Sequence, residues 1–487
     1  MSFLLQVSTL TGFLHWGIVL GVMIRVVMKR PATGVALAWL LIVSLLPAIG
    51  IVLYILVGER RIGERRAKRI ASLRTSYQEI SEIAVRELLT NVDWRKHPHI
   101  ASGMAHLGRS MAGSLTVCGS RLELFSDSDS ILKAIARDID ASRKSLLIEF
   151  YIWNEGGLAD EVLEALIRAA RRGVRCRLLV DAIGGRPWWK GEQPRKLQEA
   201  GVELRPALPV AIVPAIGGRS DLRLHRKIVI IDGEIGWTGS MNLVDPSCFK
   251  QDSGVGQWVD AMVRVRGAVV APLAATMIGD WMLETGDSIH ALIESAELTL
   301  IKPDGPADIL VVPSGPGETA DGLLQLLLAL INSAEKELLL TTPYFVPDES
   351  LLRAVRGAAG RGVKVALIVP EKVDSFLTRF ASRSYYDDLL DVGVEIYLFR
   401  GGLLHTKSIV VDRSMSMFGT VNLDMRSLWL NYEVSLFVFD QEFAQTLSEL
   451  QQRYLSESVR LDPETWKQRP FQHRLLENSL RLVSPLL

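Results

Sequence analysis

Leu224-His225-Arg226-Lys227-Ile228-Val229-Ile230-Ile231-Asp232 and Leu404-His405-Thr406-Lys407-Ser408-Ile409-Val410-Val411-Asp412 carry one pattern, His-x-Lys-x4-Asp, 180 residues apart (405 − 225). After six intervening residues each is followed by a second shared string, Gly239-Ser240-Met241-Asn242 and Gly419-Thr420-Val421-Asn422. With eight histidines in the chain, a doubled motif with a doubled trailer is not chance. On an extended strand side chains alternate faces, so His225 and Lys227 point one way, as do His405 and Lys407, and each pair can meet one phosphate. Asp232 and Asp412 complete the candidate catalytic set, but alternation puts them on the opposite face or at the strand end. Their role is read as structural, holding the turn that returns toward Gly-x-x-Asn. Asn242 and Asn422 offer neutral donors to phosphate oxygens, and the small Gly, Ser240 and Thr420 allow close backbone approach.

Working outward, the chain repeats itself. Lys144 to Trp153 is a β-rich run, Leu158 to Arg172 a helical one, and Gly173 to Asp181 a second strand. The same grammar returns in Lys336 to Phe345, Glu349 to Gly360 and Gly362 to Pro370, and each copy then reaches Gly-Val-Glu, at Gly201 and Gly393. Strand, helix, strand implies βαβ units, a largely parallel sheet covered on both faces, and two duplicated α/β lobes.

The chain has 487 residues, 48% of them hydrophobic, with 55 basic and 55 acidic side chains. A net charge of zero gives no global attraction for nucleic acid, so no nucleic-acid partner is expected and an anion needs a local basic pocket. Cys118, Cys176 and Cys248 are too few and too scattered for a disulfide framework or a zinc site. Two nearly charge-free runs, Phe3 to Ile24 and Val35 to Val57, are each long enough for a membrane-spanning helix, and neither resembles a cleaved signal. They predict an N-terminal two-helix transmembrane hairpin. Arg60, Arg61, Arg65, Arg66, Lys68 and Arg69 outweigh Arg25, Lys29 and Arg30 in the intervening loop, which places both termini and the large C-terminal part in the cytoplasm. The downstream cluster either contacts anionic headgroups or starts a solvated helix. The expected divisions are a hairpin at 1–60, a connector at 61–121, and lobes at 122–300 and 301–487.

These residues resemble the phospholipase D superfamily, in which two such motifs form one site at a pseudo-twofold interface, and within it the bacterial cardiolipin synthases. Strings carrying the resemblance include Asp221-Leu-Arg-Leu-His-Arg-Lys227, Phe249-Lys-Gln-Asp-Ser-Gly-Val-Gly-Gln-Trp-Val-Asp260, Thr342-Pro-Tyr-Phe-Val-Pro347 and Asn422-Leu-Asp-Met-Arg-Ser427. The resemblance implies transfer of a phosphatidyl group between two phosphatidylglycerol molecules to give cardiolipin and glycerol, with no metal or other cofactor, in the bacterial inner membrane. His225 is then the nucleophile that forms a phosphohistidine, His405 the general acid and base, and Lys227 and Lys407 the cations at the phosphoryl oxygens. Ser240, Asn242, Thr420, Asn422 and Glu433 are the candidate substrate-binding residues, with Glu433 also suited to hold an imidazole and Asp252 its nearest counterpart in the first lobe. Arg186 to Lys190, with Trp188 and Trp189, and the apolar stretch Pro209 to Gly217 are read as membrane contacts or as packed core. A hydrolase or another phosphatidyltransferase would use the same residues, and a non-catalytic scaffold would be free to lose them.

Overall fold

The computed structural model describes residues 2–31, 33–58, 66–70, 87, 89–209, 221–298, 301–317 and 321–483. The first half contributes β1 (Thr116–Phe125), β2 (Ser145–Phe150), β3 (Arg175–Asp181), β4 (Glu203–Ala207), β5 (Arg223–Leu224), β6 (Ile228–Ile231), β7 (Ile235–Gly239), β8 (Trp258–Val259) and β9 (Met262–Gly267). The second contributes β10 (Ala307–Ser314), β11 (Glu337–Thr341), β12 (Phe345–Val346), β13 (Lys364–Pro370), β14 (Glu395–Phe399), β15 (Leu403–Leu404), β16 (Ser408–Val411), β17 (Met415–Gly419), β18 (Leu423–Asp424) and β19 (Asn431–Phe439).

Both halves share one sheet. From one edge the first half runs β4-β3-β2-β6-β7-β9-β1, and the second runs β14-β13-β11-β16-β17-β19-β10, the two meeting where β1 pairs antiparallel with β10. These seven-strand orders are twofold symmetric about the β1–β10 seam, and the short strand Ser458–Arg460 adds an antiparallel edge outside β14 with no counterpart beside β4. Position 121 falls inside β1, so no linker separates a connector from the first lobe at that point. The sheet is mixed, whereas βαβ grammar alone predicted it largely parallel. Along the main strand order, β2, β3 and β4, and β11, β13 and β14, run parallel, because they are joined through crossover helices. The β6–β7 connection is a tight turn in which Asp232 (φ 54°) and Gly233 (φ 70°) take left-handed backbone, so the chain must return antiparallel.

Helices cover both faces. Val270–Thr285 and Gln441–Ser456 lie over the seam side in one continuous apolar cluster drawn from both halves, while Ser128–Ala141 with Leu158–Arg171, and Gly322–Asn332 with Glu349–Gly360, cover the opposite face. Trp188, read as a possible membrane anchor, is core instead. It is 2% exposed, stacks on Trp153 at 5.0 Å and donates its indole N–H to Gln193 Oε1 at 2.9 Å. The stretch from Val210 to Gly217 lies outside the described residues.

The expected transmembrane hairpin is corrected. Among the described residues no helix is long and apolar enough to cross a membrane. The second apolar run breaks at Pro47, which lacks an N–H and starts a new helix, leaving Thr33–Leu45 with 13 residues. That length spans about 20 Å at 1.5 Å per residue, against about 30 Å of hydrocarbon. The first run forms a helix, Ser2–Met28, whose side chains are described only from His15 onward. Val26, Trp39 and Tyr54 pack together, and Trp16, Leu20, Leu41 and Leu45 face outward. Of the basic cluster, Arg60, Arg61 and Arg65 lie outside the described residues. Arg66 ion-pairs with Glu284 at 2.6 Å and stacks over the Tyr432 ring, so it serves the fold.

Asp232 and Asp412 close the motif hairpins onto the start of the neighbouring strand. The Asp232 carboxylate accepts N–H bonds from Arg143, Lys144 and Ser145, and Asp412 accepts them from Glu335, Lys336 and Glu337 at 2.8–2.9 Å. Replacing Asp412 with Ala should therefore lower unfolding free energy by about 2–3 kcal/mol, seen as a reduced urea midpoint at unchanged m-value. Turnover of the folded fraction should stay within about threefold, since the carboxylate acts on the turn alone. A loss of turnover without a loss of stability would overturn this structural assignment.

Candidate active site

Two short parallel strand pairs, each crossing between the halves, place the motif histidines. β5 pairs with β19, and His225 N–H donates to Tyr432 C=O at 2.9 Å. β15 pairs with β8, and His405 N–H donates to Val259 C=O at 2.8 Å. The side chains cross in the same way. His225 Nδ1 lies 2.8 Å from Glu433 Oε2 in the second half, and His405 Nδ1 lies 2.7 Å from Asp260 Oδ1 in the first.

Each carboxylate is held by a hydroxyl from its own half. Ser240 Oγ–H donates to Asp260 at 2.6 Å and Thr420 Oγ1–H donates to Glu433 at 2.5 Å, with Asn431 Nδ2 adding a bond to Glu433 at 3.1 Å. Lys227 Nζ donates to the His225 carbonyl at 2.6 Å, and Lys407 Nζ to the His405 carbonyl. The lysines are 0% and 1% exposed.

Two buried cations thus balance two buried carboxylates. Burial drives Lys227 down to about 8 and Lys407 to about 7, against the pull of Glu433 and Asp260. Burial also pulls both imidazoles to about 4, against the carboxylates beside them. The same burial works against the two carboxylates, yet the facing imidazoles and lysines outweigh it and hold Asp260 and Glu433 below the ordinary range. A neutral imidazole beside an ionised carboxylate must donate from Nδ1, which leaves the lone pair on Nε2. Both histidines line a single cavity of about 260 Å³.

Asn242 and Asn422 line that cavity as well. Asn242 Oδ1 also accepts the Ile152 N–H at 3.2 Å. Ser240, Thr420 and Glu433, taken from the sequence as substrate-binding, sit behind the histidines and orient them. Asp232 and Asp412 lie at the far ends of β6 and β16, away from the cavity. The first-half partner is Asp260 and not Asp252, which occupies a turn at Gln251–Ser253. Glu433 follows Asn422 by eleven residues, but Asp260 follows Asn242 by eighteen, because the first half inserts that turn. The better signal was the parallel between Trp258-Val259-Asp260 and Asn431-Tyr432-Glu433, an acid two residues past a cross-paired start.

Beneath this symmetry the halves differ. Arg226 bonds Asp280, the Glu433 carbonyl at 2.8 Å and the Ser314 carbonyl at 3.1 Å. Buried Glu149 stands beside Asp280, and burial with that neighbour pushes its carboxyl well above the usual range, favouring the neutral acid. The matching places in the second half hold neutral groups: Thr406 bonds Tyr454, and Gln451 bonds Thr341 and Ser408.

Residues 135–263 and 327–455 each match the family described as cardiolipin synthase, PLD-like domain. Residues 17–59 match the phospholipase D-nuclease N-terminal family. The chain belongs to the cardiolipin synthase family of phospholipase D-like proteins. Over the full length of both chains it is 43% identical to cardiolipin synthase A of Yersinia pestis and to that of Yersinia pseudotuberculosis serotype O:1b. The crystal structure of phosphatidylserine synthase from Haemophilus influenzae shares the fold, with a TM-score of 0.58 at 15% identity, over 79% of this chain and all of that one. Both family matches contain one complete His-x-Lys-x4-Asp motif, and the crossed carboxylates join them.

The crossed geometry sets two expectations. Asp260→Asn frees the His405 tautomer and should lower kcat/KM by on the order of 10³, with the protein still folded. Lysine cations are lost as pH rises through about 7 to 8, and neutral imidazole is lost as pH falls through about 4. The kcat/KM profile of the free enzyme should therefore be bell-shaped between those limits. A flat profile up to pH 10 would remove the lysines from the charge balance.

Proposed function

We propose that this chain is a phosphatidyltransferase that makes cardiolipin, moving a phosphatidyl group from one phosphatidylglycerol to a second and releasing glycerol. The observation that carries the reading is the pair of motif histidines lining one cavity, each held through Nδ1 by a carboxylate of the opposite half. Full-length likeness to cardiolipin synthase A proteins supports the choice of product. His225 attacks the donor phosphorus, the P–O bond to glycerol breaks, and His405 delivers the proton that the glycerol oxygen takes. A second phosphatidylglycerol hydroxyl then gives its proton to His405 and displaces His225 from phosphorus.

Electrostatics favour this sequence. Around the histidines two lysines are set against two carboxylates, so a phosphodiester brings one further negative charge beside them in a low-dielectric volume. That charge raises the affinity of His405 for a proton, arming the acid only when substrate is bound. Lys227 and Lys407 then face the charge that spreads over the non-bridging oxygens in the transition state. No metal is required for either step, because the lysines supply the positive charge. The enzyme is membrane-associated and acts on phospholipids, in this reading at the cytoplasmic side of the bacterial inner membrane.

Purified full-length protein, incubated with phosphatidylglycerol in mixed micelles containing EDTA, should release glycerol and cardiolipin in equal amounts. Phosphatidic acid without cardiolipin would sink the proposal. His225→Ala and His405→Ala should each fall below about 10⁻³ of wild-type turnover, and only His405→Ala should still be able to trap a phosphorylated histidine.

A further inference from the structure

The cavity is symmetric in its histidines and asymmetric at its mouth. On the wall reached through Trp258, whose ring lies 4.5 Å from that of His405, stands a polar group with no equivalent on the opposite wall. Asp374, in the loop after β13, accepts the Tyr344 O–H at 2.7 Å on Oδ1 and faces Lys250 Nζ at 3.4 Å on Oδ2. Lys250 Nζ in turn lies 5.4 Å over the Trp258 ring. Asp374, Tyr344, Lys250, Trp258 and His405 all line the cavity. The first half has Ile152 where the second has Tyr344, and Gly185 at the distance past β3 that Asp374 keeps past β13.

We infer that Asp374, positioned by Tyr344, is the group that reads the glycerol diol of the alcohol partner, and that Lys250 reads the second phosphate of the acceptor lipid. The inference rests on the cardiolipin-forming reading above and deepens it. A carboxylate offers about four acceptor sites, and the phenol and ammonium occupy two of them. The remaining pair matches a hydroxyl next to the attacking one. Burial and Asp374 itself keep the Tyr344 phenol protonated, hence a donor. Lys250 is half-exposed at the mouth, and its ammonium has further N–H groups for a phosphate. In the transfer step the acceptor hydroxyl proton passes to His405 Nε2, the new O–P bond forms, the P–N bond to His225 breaks, and its electron pair returns to His225 Nε2. Gripping the adjacent hydroxyl gives that alcohol an advantage over water, which has no second hydroxyl to offer.

The test charges the full-length enzyme with phosphatidylglycerol and lets isotopically labelled glycerol and 1-propanol compete as acceptors. Wild type should prefer glycerol over 1-propanol by more than about tenfold, and Asp374→Asn should cut that ratio about tenfold, the cost of one lost charged hydrogen bond. Tyr344→Phe should cut it about threefold, and Lys250→Gln should keep the ratio while raising KM for acceptor phosphatidylglycerol at least about fivefold. An unchanged ratio in both Asp374→Asn and Tyr344→Phe overturns the inference. Should Asp374→Asn give no product at all, the Tyr344→Phe ratio decides alone. Failure of wild type to form cardiolipin would instead remove the underlying reading.

Discussion

Everything in this site depends on two hydrogen bonds that cross the seam, Glu433 to His225 and Asp260 to His405. Each fixes an imidazole tautomer, and each requires the opposite half of the chain. Neither half can build a working histidine alone. The backbone repeats the exchange, since β5 completes β19 and β8 completes β15 across the same boundary. Holding the carboxylates is in turn the work of Ser240 and Thr420, whose hydroxyls stop them rotating away.

Such a centre is costly to bury, and its stability depends on balance. Two lysines and two carboxylates, all nearly without solvent contact, survive because each has a partner and because their sum is zero. The imidazoles stay neutral because burial disfavours their charged form more than the adjoining carboxylates favour it.

The halves are not interchangeable. Arg226 and Asp280 form a buried ion pair beside Glu149 behind the first motif, whereas Thr406, Gln451 and Thr341 form a neutral group behind the second. At the cavity mouth the bias reverses, with Asp374, Lys250 and Tyr344 gathered on the wall that leads to His405. Twofold architecture gives the histidines a common geometry, and these departures give them different surroundings in which to take different parts.

Duplication, the histidine and lysine pairs and the supporting place of Asp232 and Asp412 were legible in the linear chain, because they follow from local spacing on a strand. Glu433 was visible as a carboxylate near the second motif. Asp260 was not, since a turn inserted in one copy sets it seven residues further from Asn242 than Glu433 lies from Asn422. The apolar runs suggested spanning helices, but hydropathy does not weigh the break that Pro47 makes in the second run. Nor does alternation say which tryptophan will find a stacking partner, as Trp188 does in Trp153. Which acid meets which histidine was decided only in three dimensions, where the β1–β10 seam brings residues more than 140 positions apart within 3 Å. A chain records spacing along itself, and these contacts depend on distances across it.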